Sequence, residues 1–148
     1  MISINEQRKK KEFETKRKNN SFNSSKSEDT CYHMLHFIFP HLMRQYYSEK
    51  YPFNCDFYDP DSDTYIEFNG TWTHGRHFFD KMNEDDVKKL TLWKSKNTKF
   101  YNNAIETWTV RDVLKRKTAI ENKLNYVVFW NLDEVYNFVI RFPISKCK

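Results

Sequence analysis

The stretch CDFYDPDSDTYIEFNGTWTHGRHFFD, Cys55 to Asp80, decides how this chain is read. Its 26 positions hold six acidic residues, two histidines and one arginine. Phe53–Tyr58 alternates as a strand, with Phe53, Cys55 and Phe57 on one face and Asn54, Asp56 and Tyr58 on the other. DPDSD is a turn cluster. Thr64–Gly70 alternates again, placing Ile66 and Phe68 on one face and Glu67 and Asn69 on the other. The hairpin thus carries Asp56 and Glu67 in mid-strand and leads to His74. A buried charge is costly unless something compensates it, and a cation is one such compensation.

Working outward, 148 residues suffice for one domain with a core. Aromatic residues are 18% and charged residues 30%, the mix of an aromatic core under a charged surface. With two glycines there is no phosphate-cradling loop and no dinucleotide fingerprint. No apolar run approaches the ~18 residues of a membrane span, and the N-terminus has no signal-peptide stretch. A cytoplasmic protein with no membrane partner is expected. Cys31, Cys55 and Cys147 form no C-x-x-C pair, which argues against a disulfide framework and a zinc knuckle.

The net charge of +5 is unevenly spread. Residues 1–27 hold eight Lys/Arg against three Glu, and residues 28–148 hold seventeen of each sign. Residues 1–26 therefore read as a basic arm and 27–148 as the domain proper. A basic arm on a neutral domain fits a polyanion, whose counterions Lys and Arg displace; a solvated tail explains the same charges.

Ser27 reads as the N-cap of a helix through Cys31, Met34, Leu35 and Ile38, with Glu28 and Asp29 in its first turn. A short helical piece is expected from Leu42 to Tyr47. Asn83–Asn97 reads as a helix with Val87, Leu90 and Trp93 inside. Thr109–Leu124 reads as another, capped by Thr109, with Val113, Leu114, Ile120 and Leu124 facing the core. Asn125–Trp130 suits a buried strand and Asp133–Phe142 a closing helix. A hairpin followed by a helical crossover to a buried strand predicts an α/β (α+β) domain, a mixed central sheet flanked by helices.

If Asp56 shares a face with Glu67 and Asn69, two carboxylates converge. They repel unless one is protonated or a cation lies between them. Oxygen ligands of this kind suit Mg²⁺, which binds through one or two carboxylates plus substrate phosphates. A nearby histidine, His74, is suited to take a proton from water at cellular pH. A water-facing polar sheet face accounts for the same carboxylates without a metal. Asp-x(10)-Glu-x-Asn is similar to the nuclease pattern Asp…Glu-x-Lys, with Asn69 in the lysine position.

CDFY…YIEFNGTWTHG resembles the core of the very short patch repair endonucleases and of related phage homing endonucleases. The likeness to the phage type is longer, taking in SKSED, RQYYSEKYPFNCDFY and WTVRDVLKRKTAIENKLNYVVFW, roughly Lys26 to Asn131. The resemblance implies a restriction-endonuclease-like core with Glu28, Asp56, His74 and Asp112 as site residues. It further implies that Asp56 and the Phe68 carbonyl hold Mg²⁺ or Mn²⁺, with Glu67 and Asp112 helping, and that His74 is the general base. RKKKEFETKRKNNSFN is similar to the end of a basic DNA-binding module that precedes such domains. The repair enzymes carry a structural zinc; THGRHFF has no cysteine, and none is expected.

Each residue has a plainer reading beside this one. Glu28 and Asp112 sit at expected helix starts, where carboxylates favour the dipole or a capping box. His77 reads as a surface or phosphate contact. Trp72, Phe78 and Phe79 suit either DNA or core contacts. Lys94, Lys96, Arg111 and Lys115 form a basic cluster, with Arg111 and Lys115 on one helix face, and together with Asn69, Trp72 and His77 they are the expected DNA contacts.

The reading is a metal-dependent endonuclease of double-stranded DNA, and the alternative is a non-catalytic DNA-binding or anti-restriction module on the same fold. Removing the basic arm is expected to weaken non-specific DNA binding and flatten its salt dependence while the domain stays folded. Affinity titrations at several salt concentrations, with and without the arm, measure this; an identical slope would show that the arm does not touch DNA.

Overall fold

The computed structural model describes residues 25–143, together with Gln7, Arg8, Lys10 and Lys11. The rest of the basic arm, and Cys147, lie outside the described residues. Helix α1 spans Lys26–His36, and its N-cap is Ser25, not Ser27: the Ser25 side chain accepts from the Glu28 N–H at 3.0 Å.

Three antiparallel strands follow, β1 (Met43–Ser48), β2 (Tyr51–Asp59) and β3 (Thr64–Phe68). The expected helical piece at Leu42–Tyr47 is thus a strand. Tyrosines favour pleated surfaces, and Tyr46 stacks on Tyr58 of β2 with ring centroids 3.9 Å apart. The crossover carries α2 (Glu84–Lys96), α3 (Lys99–Glu106), a π-helical turn (Thr107–Arg111) and α4 (Asp112–Glu121). Strand β4 (Asn125–Phe129) returns parallel to β3, and α5 (Leu132–Arg141) closes the domain. The sheet order is β1-β2-β3-β4, the mixed sheet with flanking helices that the pattern predicts. No helix among the described residues is long and apolar enough to cross a membrane.

Sequence signals set the helix starts. Asn83 accepts from the Asp85 and Asp86 N–H groups, Thr98 from that of Tyr101, and Asn131 from that of Glu134. Thr109 is no cap. The helical path runs straight through it, and its hydroxyl donates to the Ile105 carbonyl. The capping-box reading of Asp112 falls with it.

The core has three parts. On one sheet face, Cys31 and Leu35 of α1 and Val135 of α5 pack on Phe57, Ile66, Phe68 and Phe129. On the other, Ala119 of α4 packs on Tyr51, Cys55 and Tyr65. Trp93, Ala104 and Trp108 knit α2, α3 and the π turn together. Val113, Leu114 and Ile120, expected inside, are exposed, as is Val87 of α2. The buried side of the helical path is Trp108, Asp112 and Ala119, with Lys115 half-buried. A polar inner face hides from a hydrophobicity pattern.

Gly75 ends the short 3₁₀ turn Trp72–His74 in left-handed backbone, φ 72°. A Cβ there would stand 2.2 Å from the Trp108 indole. Gly75→Ala is therefore expected to destabilise the domain by about 1–3 kcal/mol, the scale for a non-glycine residue held in that region, with the ring clash in addition. Urea unfolding tests this, and a variant as stable as the parent would contradict the packing of this turn on Trp108.

Candidate active-site cleft

The site is built where β2 and β3 part. Their ladder pairs Asp59 with Thr64, Tyr58 with Tyr65 and Phe57 with Ile66. At the next position side chains replace backbone partners. The Asp56 N–H donates to Glu67 Oε1 at 2.9 Å, and the Phe68 N–H donates to Asp56 Oδ2 at 2.8 Å. The expected alternation breaks here. Cys55 and Tyr58, three residues apart, belong to the same aromatic cluster, while Phe57 belongs to the other. Strict period two would have kept Cys55 with Phe57. The Cys55 thiol bonds the Phe57 and Ile66 carbonyls, a packing role.

A cleft of about 370 Å³ opens over this fork, lined by Glu28, Asp56, Glu67, Phe68, Asn69, His74 and Lys115, with Ser25 and Thr71 at its edge. The fold brings together seven of the expected site residues, Glu28 from α1, Asp56 from β2, Glu67, Phe68 and Asn69 at the end of β3, His74 from the 3₁₀ turn and Lys115 from α4, and Asp112 contacts His74. His74 Nδ1 lies 2.6 Å from Asp112 Oδ2, and Asp112 is 2% exposed. An imidazole that donates from Nδ1 to this carboxylate, in its neutral form, has the Nε2 lone pair available to accept a proton. Asp112 is committed to this ring, which makes it an orienting group.

Glu67 has both oxygens committed as well. Oε1 takes the Asp56 N–H, and Oε2 takes the Tyr51 hydroxyl at 2.6 Å and the Lys115 ammonium at 2.9 Å. Removing one partner of such a buried ion pair typically costs about 3–5 kcal/mol. Burial pulls the Lys115 ammonium down, but Glu67 and Asp56 outweigh it and leave it above its ordinary value. Asp56 shows the opposite imbalance. Burial, then the charges of Glu67 and Glu28, push its carboxyl well above the usual range, against the pull of Lys115 and the Phe68 N–H. Glu28 is also raised, chiefly by burial, although Arg44 binds it at 3.3 Å. Three carboxylates thus face one ammonium in the cleft wall. Among the described residues no group of three or more His, Cys, Asp or Glu side chains is arranged to hold a metal ion.

The remaining expected residues divide clearly. Asn69 is buried at the cleft and its N–H donates to the Phe129 carbonyl. Trp72 packs against Trp93, Phe100 and Tyr101, Phe79 against Trp108, and Phe78 against Trp130. These aromatics make tertiary contacts in this structure. His77 Nε2 lies 2.6 Å from Asp86, and the Trp108 indole donates to the His77 carbonyl, so His77 anchors the loop. Lys94, Lys96 and Arg111 are exposed and do not line the cleft. Arg111 is exposed, whereas Lys115, four residues on, turns inward to Glu67. Tyr51 and Lys89, which donates to the Gly75 carbonyl, carry no sequence signal; both are recognisable only once the strands and helices are assembled.

Because the folded protein holds the Asp56 carboxyl above its unfolded value, ionising it disfavours the fold. Below about pH 4 the carboxyl is protonated in both states, and this contribution to stability is fully present. It is lost as pH rises toward the folded value. Asp56→Asn, in metal-free buffer, is therefore expected to match the parent in acid and to exceed it at neutral pH. Urea unfolding at pH 4 and pH 7.5 reads the difference; a variant less stable at both would contradict the charge imbalance.

Compared with family models, with curated proteins and with solved structures, the chain matches none, so the case for its chemistry rests on the cleft itself.

Proposed function

We propose that the protein is a metal-dependent endonuclease that hydrolyses phosphodiester bonds in double-stranded DNA. The observation that carries this reading is the His74–Asp112 pair opening onto the same cleft as Asp56. A base with an orienting carboxylate, beside a carboxylate whose charge lacks compensation, is what water activation next to a phosphate requires.

The donor set fits a hard divalent cation. Asp56 is short of positive charge, and Glu28 and the backbone of Phe68 border the same space. One or two carboxylates with a carbonyl suit Mg²⁺ or Mn²⁺, which retain waters. Asp56 and the Phe68 carbonyl would hold the ion, with Glu28 alongside; when bound it supplies Lewis-acid stabilisation of the phosphate oxygens. Glu67 and Asp112, both expected as ligands, are given other work in this reading: both Glu67 oxygens serve protein donors, and Asp112 Oδ2 faces the His74 ring.

In the proposed reaction His74 Nε2 takes a proton from the attacking water as its oxygen closes on phosphorus. Asp112 then faces an imidazolium and stabilises it. Lys115 places its ammonium where negative charge grows on the pentavalent phosphorus. The bond to the leaving sugar oxygen breaks, and that oxygen collects a proton from solvent. Glu67 keeps Lys115 in place and ties β2 to β3. The resemblance of CDFY…YIEFNGTWTHG to patch-repair and phage homing nucleases supports the roles of Asp56, the Phe68 carbonyl and His74.

Supercoiled plasmid incubated with the protein is expected to be nicked or linearised with Mg²⁺ and untouched with EDTA, and Asp56→Ala to abolish cutting without unfolding the domain. His74→Ala should lower the single-turnover rate by about 10²–10⁴, the usual scale for a lost general base, with DNA binding retained. DNA binding without metal-dependent cutting would favour the non-catalytic module instead. A His74→Ala protein that cuts at the parent rate would remove His74 from the mechanism.

A further inference from the structure

Tyr51 lies at the start of β2, is fully buried, and reaches across to β3, where its hydroxyl meets Glu67 Oε2 at 2.6 Å. The same hydroxyl lies 3.0 Å from the Tyr126 hydroxyl of β4. A phenol has one proton. Tyr51 spends it on the carboxylate, so Tyr126 must donate to Tyr51. The two hydroxyls form a chain polarised toward Glu67, and hydrogen bonds aligned this way reinforce one another. The 2.6 Å separation belongs to the short, charge-assisted class.

We propose that Tyr51 is a positioning residue of the cleft: its hydroxyl fixes the Glu67 carboxylate, and Glu67 in turn fixes the Lys115 ammonium at the cleft wall. The catalytic part of this proposal rests on the nuclease reading. Glu67 Oε2 serves two donors, Tyr51 and Lys115. The lysine is a long flexible chain, and the tyrosine is rigid, wedged among Phe53, Tyr65 and Tyr126. Of the two donors to Oε2, Tyr51 is the rigid one and sets where that oxygen lies. The Asp56 N–H holds Oε1; without the Tyr51 hydroxyl Oε2 keeps only the flexible ammonium, so that oxygen and the ammonium paired with it lose their rigid reference. Among the described residues Lys115 is the one Lys or Arg lining the cleft, so its displacement would be felt by the reacting phosphate and not by DNA held elsewhere. Other tyrosines of this sheet face direct their hydroxyls away: Tyr65 to Ser48 and Tyr58 to Asp63. A tyrosine needed only for packing would tolerate phenylalanine; one that orients a buried carboxylate would not.

The test compares the parent, Tyr51→Phe and, as a control, Tyr58→Phe. In single-turnover plasmid cleavage with Mg²⁺, Tyr51→Phe is expected to lose about tenfold in rate, with DNA affinity within about twofold of the parent. In a Glu67→Gln background the same substitution is expected to add nothing, since the two act as one unit. Independently of activity, the Lys115 ammonium should give a slowly exchanging ¹H–¹⁵N signal, assigned by its loss in Lys115→Arg; Tyr51→Phe should abolish it and Tyr58→Phe should keep it. An unchanged rate, an unchanged signal, or an equal loss in the Glu67→Gln background would overturn the proposal. If the parent itself cuts no DNA, the nuclease reading fails, and the ammonium signal still decides whether Tyr51 positions Lys115. Should Tyr51→Phe not fold, Tyr126→Phe, which removes only the outer donor, is read in the same assays with a smaller expected loss of about threefold; no loss of rate or signal there would overturn the proposal equally.

Discussion

Everything at the cleft depends on one exchange between neighbouring strands: the Asp56 amide bonds the Glu67 side chain, and the Asp56 side chain bonds the Phe68 amide. An ordinary antiparallel ladder would have satisfied these amides with carbonyls. Here two carboxylates do so, which parts the strands while leaving both buried N–H donors satisfied, as burial requires. The fork turns Asp56 toward a space that Glu28, His74 and Lys115 reach from other elements. The helices and the third aromatic cluster can be understood as what holds those three in register with it.

The crossover helices do this with an unusual inner face. Trp108, Asp112, Lys115 and Ala119 recur at spacings of four, three and four, a proper helical stripe, but two of them are ionisable. Trp108 closes against Gly75 and receives Lys89 over its ring, 5.5 Å from the centroid. That contact fixes the turn on which His74 sits. Asp112, one turn further along, fixes the ring itself. Lys115 and then Ala119 continue down onto the tyrosine-rich sheet face. A single helical path therefore sets loop, base and cation in sequence.

This arrangement explains where the sequence was legible. The hairpin, the parallel return strand and the closing helix follow from alternation, turn residues and helix periodicity, and all three are present. Asp56, Glu67 and His74 stood out because charge in mid-strand and a histidine after a glycine turn are local signals. Asp112 and Glu28 were found as site residues by resemblance, since locally each suits a helix start. The inner face of α4 was not legible: periodicity assigns apolar residues to the core, and Val113, Leu114 and Ile120 are exposed because the interior position is taken by groups that the cleft needs. Strand β1 was missed for a different reason. Its pairing with β2 and the Tyr46–Tyr58 stack are contacts between segments that local spacing does not register. Tyr51 gave no signal at all, because its role exists only once β2, β3 and β4 lie side by side.

The charge balance of the cleft carries the last step. Lys115 neutralises Glu67, and Arg44 answers Glu28 and Asp29, with Arg44 2.7 Å from Asp29. Among the described residues Asp56 has no ion pair of its own: its charge is met by the Phe68 N–H and by the pull of a lysine already paired with Glu67. A protein selected for stability alone gains nothing from a carboxylate in that position, since an amide would satisfy the same N–H without the repulsion. An acidic group kept there at a cost to the fold is understandable if a divalent ion, arriving with its substrate, supplies the missing charge. On that view the instability at Asp56 and the free Nε2 of His74 are two halves of one device: the first attracts a cation to the phosphate, and the second waits beside it for the proton of a water.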